Sequence, residues 1–260
     1  MNKLNKKIRH RHDLPKEITD LGYDIKRLRE KGEDTSELER IRESKKKELI
    51  ELGKELHPVG GLFIVLSAPS GAGKTSICRE VLKMLPDVKF SVSYTTRPPR
   101  PRERDGTDYN FISESEFRKR IEEGEFAEWA ENYGHLYGTS KKTMKDFLEK
   151  GYDLILDVDP RGARELKKNC PGGIFVFVLP PSIDELKARL KQRGFEEKKI
   201  IEERFKKAMD EIKEIVWYDY VIINDSLNLA IDNLRSIYVA EKSRRERLTE
   251  KIRDFMEATT

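Results

Sequence analysis

Fourteen consecutive residues constrain this chain more than any other feature. Residues 62–67, Leu-Phe-Ile-Val-Leu-Ser, have the length and composition of a buried strand, and Ala68-Pro69-Ser70-Gly71-Ala72-Gly73-Lys74-Thr75 follows without a break. From Ser76 to Leu85 the pattern is helical. Strand, glycine-rich loop and helix in this order make a cradle for phosphate. Gly71 and Gly73 let the backbone turn so that successive N–H groups converge on anionic oxygens at the positive end of a helix. Lys74 reaches a transferred phosphoryl group, and the Thr75 hydroxyl offers an oxygen to Mg²⁺. Ala68 stands where the usual pattern has glycine. The loop and its flank, Ala68 through Ser76, are therefore expected to bind a nucleoside triphosphate, but the loop does not say which reaction follows.

Beyond the first helix, Phe90-Ser91-Val92-Ser93 alternates like a strand and leads into Tyr94-Thr95-Thr96-Arg97-Pro98-Pro99-Arg100-Pro101. Three prolines fix much of the backbone freedom here, so Arg97 and Arg100 sit on a stiff support suited to a phosphate. Arg102 and Arg104 read as a solvated basic turn. Ser113 and Glu116 form a capping box for a helix ending at Gly124. The run from Phe126 to Trp129 and the turn at Gly134-His135 predict a hairpin, with His135 as a turn residue. Taken alone, Glu128 reads as a surface carboxylate on an edge strand. An apolar strand from Tyr152 to Val158 presents Asp157 and Asp159 at its C-terminal end, where parallel sheets bind ligands. Residues 174–179 form another buried strand. Ser182 caps a helix carrying Arg189 and Arg193, and Arg204 lies on the next helix; singly, each arginine suits a helix surface as well as a phosphate site. The last strand, 220–223, ends in Asn224-Asp225, which is expected to cap the final helix from Leu227 past Glu241. Cys78 reads as a core thiol.

The set Ser-Ala-Pro-Ser-Gly-Ala-Gly-Lys, Ser-Val-Ser-Tyr-Thr-Thr-Arg-Pro-Pro-Arg, Asp108-Tyr109-Asn110-Phe111, Phe126-Ala127-Glu128-Trp129-Ala130, Tyr137-Gly138-Thr139 and Leu156-Asp157-Val158-Asp159 resembles the guanylate kinases in order and spacing over roughly residues 60–242. The resemblance implies a P-loop α/β fold, a three-layer parallel sheet with a GMP-binding insertion at about 92–141 and a lid at about 193–206, and an ATP:GMP phosphotransferase. It implies that Ser93, Arg97, Arg100, Tyr109 and Tyr137 grip the GMP phosphate. Glu128, Thr139 and Asp159 would read guanine, and Asn224 would meet adenine. Asp157, beside the nucleoside, would order the Mg²⁺ shell through water. Lys74, Arg97 and the lid arginines Arg189, Arg193 and Arg204 would surround the moving phosphoryl. Guanine chemistry agrees, since N1–H and N2–H are donors that a carboxylate accepts, whereas adenine N1 is an acceptor. Arg161 stands where the family commonly has Gln. The implied substrates are Mg²⁺-ATP and GMP, with dGMP. The competing readings are a related P-loop kinase for another phosphorylated substrate, opposed by Glu128, Thr139 and Asp159, and a peptide-binding scaffold, opposed by the presence of Lys74.

Charge divides the chain. Of 52 Lys+Arg and 48 Asp+Glu in 260 residues, residues 1–58 hold 16 and 13, so half of that segment is charged. Ile18, Leu21, Ile25 and Leu28 form one helical stripe and Gly32 breaks it. Ser36 with Glu39 is expected to cap a second helix ending at Pro58 and Gly60-Gly61. The segment reads as a helical hairpin or coiled-coil-like extension that packs within the protomer or joins a second subunit as a homo-oligomer. Residues 243–260 read as a helical tail with a solvated basic face. A net charge of +4 argues against a dedicated nucleic-acid binder. No apolar run approaches a membrane span, and two cysteines without redox spacing suit a reducing, cytoplasmic compartment.

Overall fold

The computed structural model describes residues 3–56, 61–101, 103–132, 134–170, 172–192 and 198–248, with 252, 253 and 255. Two compact units are present, Met1–Val59 with Ser243–Thr260, and Gly60–Lys242.

In the first unit, α1 (Lys3–Glu30) and α2 (Ser36–Leu56) form an antiparallel hairpin. Ion pairs of Glu17 with Lys45 and of Arg29 with Glu39 join its arms. Gly32, at φ +75°, ends α1: its amide donates to Arg29 and the Glu33 amide to Leu28, closing the last turn. The expected Ser36–Glu39 cap does not form, because the Ser36 hydroxyl donates to Asp34 instead. The Thr35 carbonyl accepts the Glu39 amide and its hydroxyl donates to the Glu39 carboxylate, while Asp34 accepts both the amide and hydroxyl of Ser36. An aspartate two residues upstream of Ser36 is a stronger local acceptor than the cap itself. Pro58 and Gly60 lie outside the described residues.

The second unit alternates strands and helices: β1 (Phe63–Ser67), α3 (Lys74–Met84), β2 (Val88–Phe90), β3 (Tyr94–Thr95), β4 (Asn110–Phe111), α4 (Glu114–Glu122), β5 (Phe126–Asn132) and β6 (His135–Ser140). There follow α5 (Lys141–Glu149), β7 (Asp153–Asp157), α6 (Pro160–Asn169), β8 (Ile174–Leu179), α7 (Ile183–Gln192), α8 (Lys198–Ile212), β9 (Tyr220–Ile223) and α9 (Leu227–Lys242); α10 (Arg245–Leu248) belongs to the first unit. The central sheet has the order β2-β7-β1-β8-β9, and every described pairing in it is parallel. Its inner strands β7, β1 and β8 are buried on both faces, which is why their sequences are nearly continuous apolar runs, whereas the edge strands β2 and β9 are partly exposed. Alternation then sorts the side chains. Leu62, Ile64, Leu66, Ile155 and Val176 pack with Ile77, Cys78 and Val81 of α3 and Leu234 of α9; Phe63, Val65, Leu154 and Leu156 pack with Met144 of α5 and Ala163 and Leu166 of α6. Helix, sheet and helix thus form the three layers that the loop motif and the resemblance led us to expect.

A second sheet, β4-β3-β6-β5, lies within the expected insertion and has its own small core of Phe117, Phe126 and Leu136. Ser113 caps α4 by accepting the Glu116 amide, as expected. The strand expected at 90–93 is earlier and shorter. After Phe90 the chain leaves the parallel sheet and returns as β3 against β6 of the second sheet. His135 is the first residue of β6, paired with Asn132. Ser182 caps α7 through the Glu185 amide. Ser226, and not Asn224 or Asp225, caps α9, accepting the Leu229 amide.

Candidate active site

The C-terminal ends of β1, β5 and β7 and one stretch of α8 meet at a cavity of about 180 Å³, lined by residues 68–75 with Asn132, Asp159, Lys207 and Glu211. Gly71 and Gly73 have φ of +95° and +92°. At Gly73 glycine is required twice over, because a Cβ there would also stand 2.4 Å from Asn224 Nδ2. No side chain caps α3 at Gly73, so its first N–H groups are presented to the cavity. Ala68, Pro69 and Ala72 are buried, whereas Thr75 and Ser76 are exposed.

Lys74 Nζ stands 2.5 Å from Asp157 Oδ1 and donates to the Val158 carbonyl at 3.0 Å. Burial opposes its charge, but the charge and hydrogen bond of Asp157 outweigh burial and hold the ammonium above its ordinary pKa. Behind it, burial pushes the Cys78 thiol well up, which makes it an inert core group. Asn224 is buried, and its amide donates to the Ala72 carbonyl at 2.7 Å. The side chain expected at adenine is here a brace of the loop. Arg189 pairs with Glu185 at 2.7 Å and approaches the Asn224 carbonyl. Arg204 is half-buried on α8. Arg193 and the rest of 193–197 lie outside the described residues.

On the second sheet, β5 and β6 place Glu128 opposite Thr139, and the Thr139 hydroxyl donates to Glu128 Oε1 at 2.6 Å. Glu128 is buried, contrary to its reading as a surface carboxylate. Burial pushes its pKa up to about 7, the Thr139 hydrogen bond opposes that, and the charge of Asp159 adds to it. Thr139 has one hydroxyl proton, and in this structure it is directed to Glu128. Asp159 accepts the Gly162 amide at 2.8 Å and so caps α6. A Cβ at Gly162 would lie 2.3 Å from Glu128 Oε2, so glycine lets that helix turn approach the carboxylate. Arg161 is exposed nearby.

Arg97 is fixed on several sides. Its Nη2 donates to both oxygens of Glu103 at 2.9 Å, its Nη1 to the Pro98 carbonyl at 2.7 Å, and it lies over the Tyr109 and Phe111 rings. Burial opposes its charge, while Glu103 and Tyr137 hold its pKa up. Tyr109 and Tyr137 meet edge to face, with centroids 6.0 Å apart. Arg100 is exposed, with its amide on Glu103 at 2.7 Å, and Ser93 is half-buried beside the Asn110 amide bonded to its carbonyl. The two groups of residues share one field, because Asp157 and Lys74 act on Tyr109, and Lys74 and Asp159 on Glu128.

Four residues absent from the motif reading also stand here: Glu103, Asn132, Lys207 and Glu211. Lys207 donates to Asn132 across 75 positions of sequence, a pairing that no local pattern announces. Only its spacing three residues after Arg204, on the same helix face, could have drawn attention to Lys207.

Comparison with known proteins agrees with this geometry. The sequence model of the family described as guanylate kinase matches residues 61–241. A guanylate kinase of Syntrophus aciditrophicus is 58% identical over 76% of this chain and 95% of its own length. One of Geobacter sulfurreducens is 46% identical over 75% and 96%. The crystal structure of guanylate kinase from Anaplasma phagocytophilum superimposes with a TM-score of 0.62 at 31% identity, covering 74% of this chain and 92% of that one. The parallel sheet, the phosphate loop and the buried Glu128–Thr139 pair occur within a chain that belongs to the guanylate kinase family.

Proposed function

We propose that this guanylate kinase transfers the γ-phosphoryl of ATP to GMP, with ATP on the loop 68–76 and GMP against the second sheet. The observation that carries the reading is geometric: Asp159, which lines the phosphate-loop cavity, caps the α6 turn that packs on the buried Glu128–Thr139 pair. Arg97 and Arg100, with Ser93, Tyr109 and Tyr137, bind the GMP phosphate; Glu128, Thr139 and Asp159 bind guanine. Above pH 7 Glu128 is a carboxylate with acceptors for N1–H and N2–H, and an opposed adenine N1 would cost on the order of 1–3 kcal/mol. Thr139 holds that carboxylate in orientation. Lys74 and the arginines Arg189, Arg193 and Arg204 bind the phosphate chain. No general base is needed, because the attacking GMP phosphate oxygen is already anionic. Catalysis then consists of placement, charge and exclusion of water.

The oxygen set suits Mg²⁺: an exposed Thr75 hydroxyl beside the loop, and Asp157 one lysine away. That is too few ligands for an all-protein cage, and it fits an ion that keeps waters and takes substrate phosphates. When bound, Mg²⁺ supplies charge neutralisation at the phosphate oxygens. The same reading places the enzyme in the cytoplasm, with dGMP as a second acceptor; no described helix is long and apolar enough to cross a membrane. Residues 1–58 serve packing or self-association, which light scattering on the full chain distinguishes. Lys74→Ala tests the catalytic assignment. ADP formation should fall by about two to three orders of magnitude while calorimetry still detects GMP binding; turnover that persists would overturn it.

A further inference from the structure

Lys207 lies three residues after Arg204 on α8, so both side chains share one helix face. Its ammonium donates to Asn132 Oδ1, at the end of β5, and stands 3.9 Å from Glu211 Oε1. Glu211 lines the same cavity as Ser70 of the phosphate loop. Lys207, Asn132 and Glu211 all line the cavity formed by residues 68–75, where Lys74 and Lys207 are the two cationic lining residues. Lys74 is already matched by Asp157 at 2.5 Å. The cavity also holds the carboxylates of Asp159 and Glu211, which would repel an entering phosphate chain.

Resting on the kinase reading above, we propose that Lys207 is a further catalytic residue, a second ammonium that contacts the ATP phosphates in this cavity. One of its present partners, the Asn132 amide oxygen, is neutral, and exchanging that contact for a phosphate oxygen gives a stronger, charge-assisted hydrogen bond. The four-carbon stem allows that movement without displacing α8. Asn132 terminates the strand that carries Glu128, so Lys207 bridges the cavity of the loop assigned to ATP and the end of the strand assigned to GMP.

Titration of the full-length protein with Mg²⁺-ATP in the absence of GMP tests this, using Lys207→Met, Lys207→Arg and, as a control, Lys206→Met at an exposed position. Lys207→Met should weaken ATP binding about tenfold while GMP binding stays within about twofold; Lys207→Arg should recover most of the loss, and Lys206→Met should match the parent. In steady state the same pattern should appear in kcat/KM for ATP. ATP binding within about twofold of the parent in Lys207→Met would overturn the proposal. So would an equal loss for GMP and ATP that Lys207→Arg does not rescue, because that is the mark of a structural role. A parent protein that binds ATP yet leaves GMP unphosphorylated would refute the kinase reading and leave the ATP titration to decide Lys207.

Discussion

Glu128→Gln should stabilise the nucleotide-free protein at alkaline pH while impairing its recognition of GMP. The wild-type carboxyl has its pKa raised from 4.5 to about 7, first by burial. Between those values the folded chain keeps a proton that the unfolded chain releases. The contribution of Glu128 is therefore fully present below about pH 4.5 and is lost as pH rises through 7, to a total of about 3 kcal/mol. Glutamine is uncharged throughout and its carbonyl can still accept the Thr139 hydroxyl. Its NH₂ group, set where Oε2 meets the turn at Gly162, forfeits about 1–2 kcal/mol if it finds no acceptor. The variant should thus be about 1–2 kcal/mol more stable than wild type at pH 8.5 and less stable near pH 5. Urea unfolding of both proteins at half-unit pH intervals without nucleotide measures this, and subtracting one from the other removes every other titrating group. A stability difference constant across pH to within about 0.5 kcal/mol would refute the assignment of a strained, buried carboxylate. With GMP present the order should reverse, because the base donates two protons to a carboxylate that the variant lacks.

Asn224→Ala removes a buried hydrogen bond to Ala72 and should cost about 1–3 kcal/mol in urea unfolding, raising KM for ATP while KM for GMP stays unchanged. Gly73→Ala places a methyl group against Asn224 at φ +92° and should cost about 1–3 kcal/mol and abolish ATP binding by calorimetry. Glu103→Gln deprives Arg97 of its ionic partner and should raise KM for GMP about threefold to tenfold with little change for ATP.

The phosphate loop is legible in the sequence because its requirements are local: two glycines at positive φ, an apolar strand before and a helix after. The buried strands are legible for a related reason, since a sheet covered on both faces leaves continuous apolar runs. The misplacement of the strand at 90–93 has a tertiary cause. Val88–Phe90 pairs with β7, and the chain then changes sheets, which alternation of side chains does not record. The cap expected from Ser36 and Glu39 is lost to Asp34, a neighbour that the Ser36–Glu39 pattern ignores. Glu128 illustrates the limit on the chemical side. One strand pattern fits a surface acid and a buried reader equally, and burial follows from the approach of α6 at Gly162. Asn132 of β5 meets Lys207 and Glu211 of α8 only in the fold. The charged extension is the clearest compositional feature, and its two helices fall with residues 243–260 in one compact unit.

The most direct test is release of ADP by the full chain with Mg²⁺-ATP and, in turn, GMP, dGMP, AMP and UMP. Phosphorylation of GMP and dGMP, with kcat/KM for AMP lower by at least about tenfold, is the result expected from one opposed buried acceptor. Equal turnover of GMP and AMP, or none with GMP, would contradict the account.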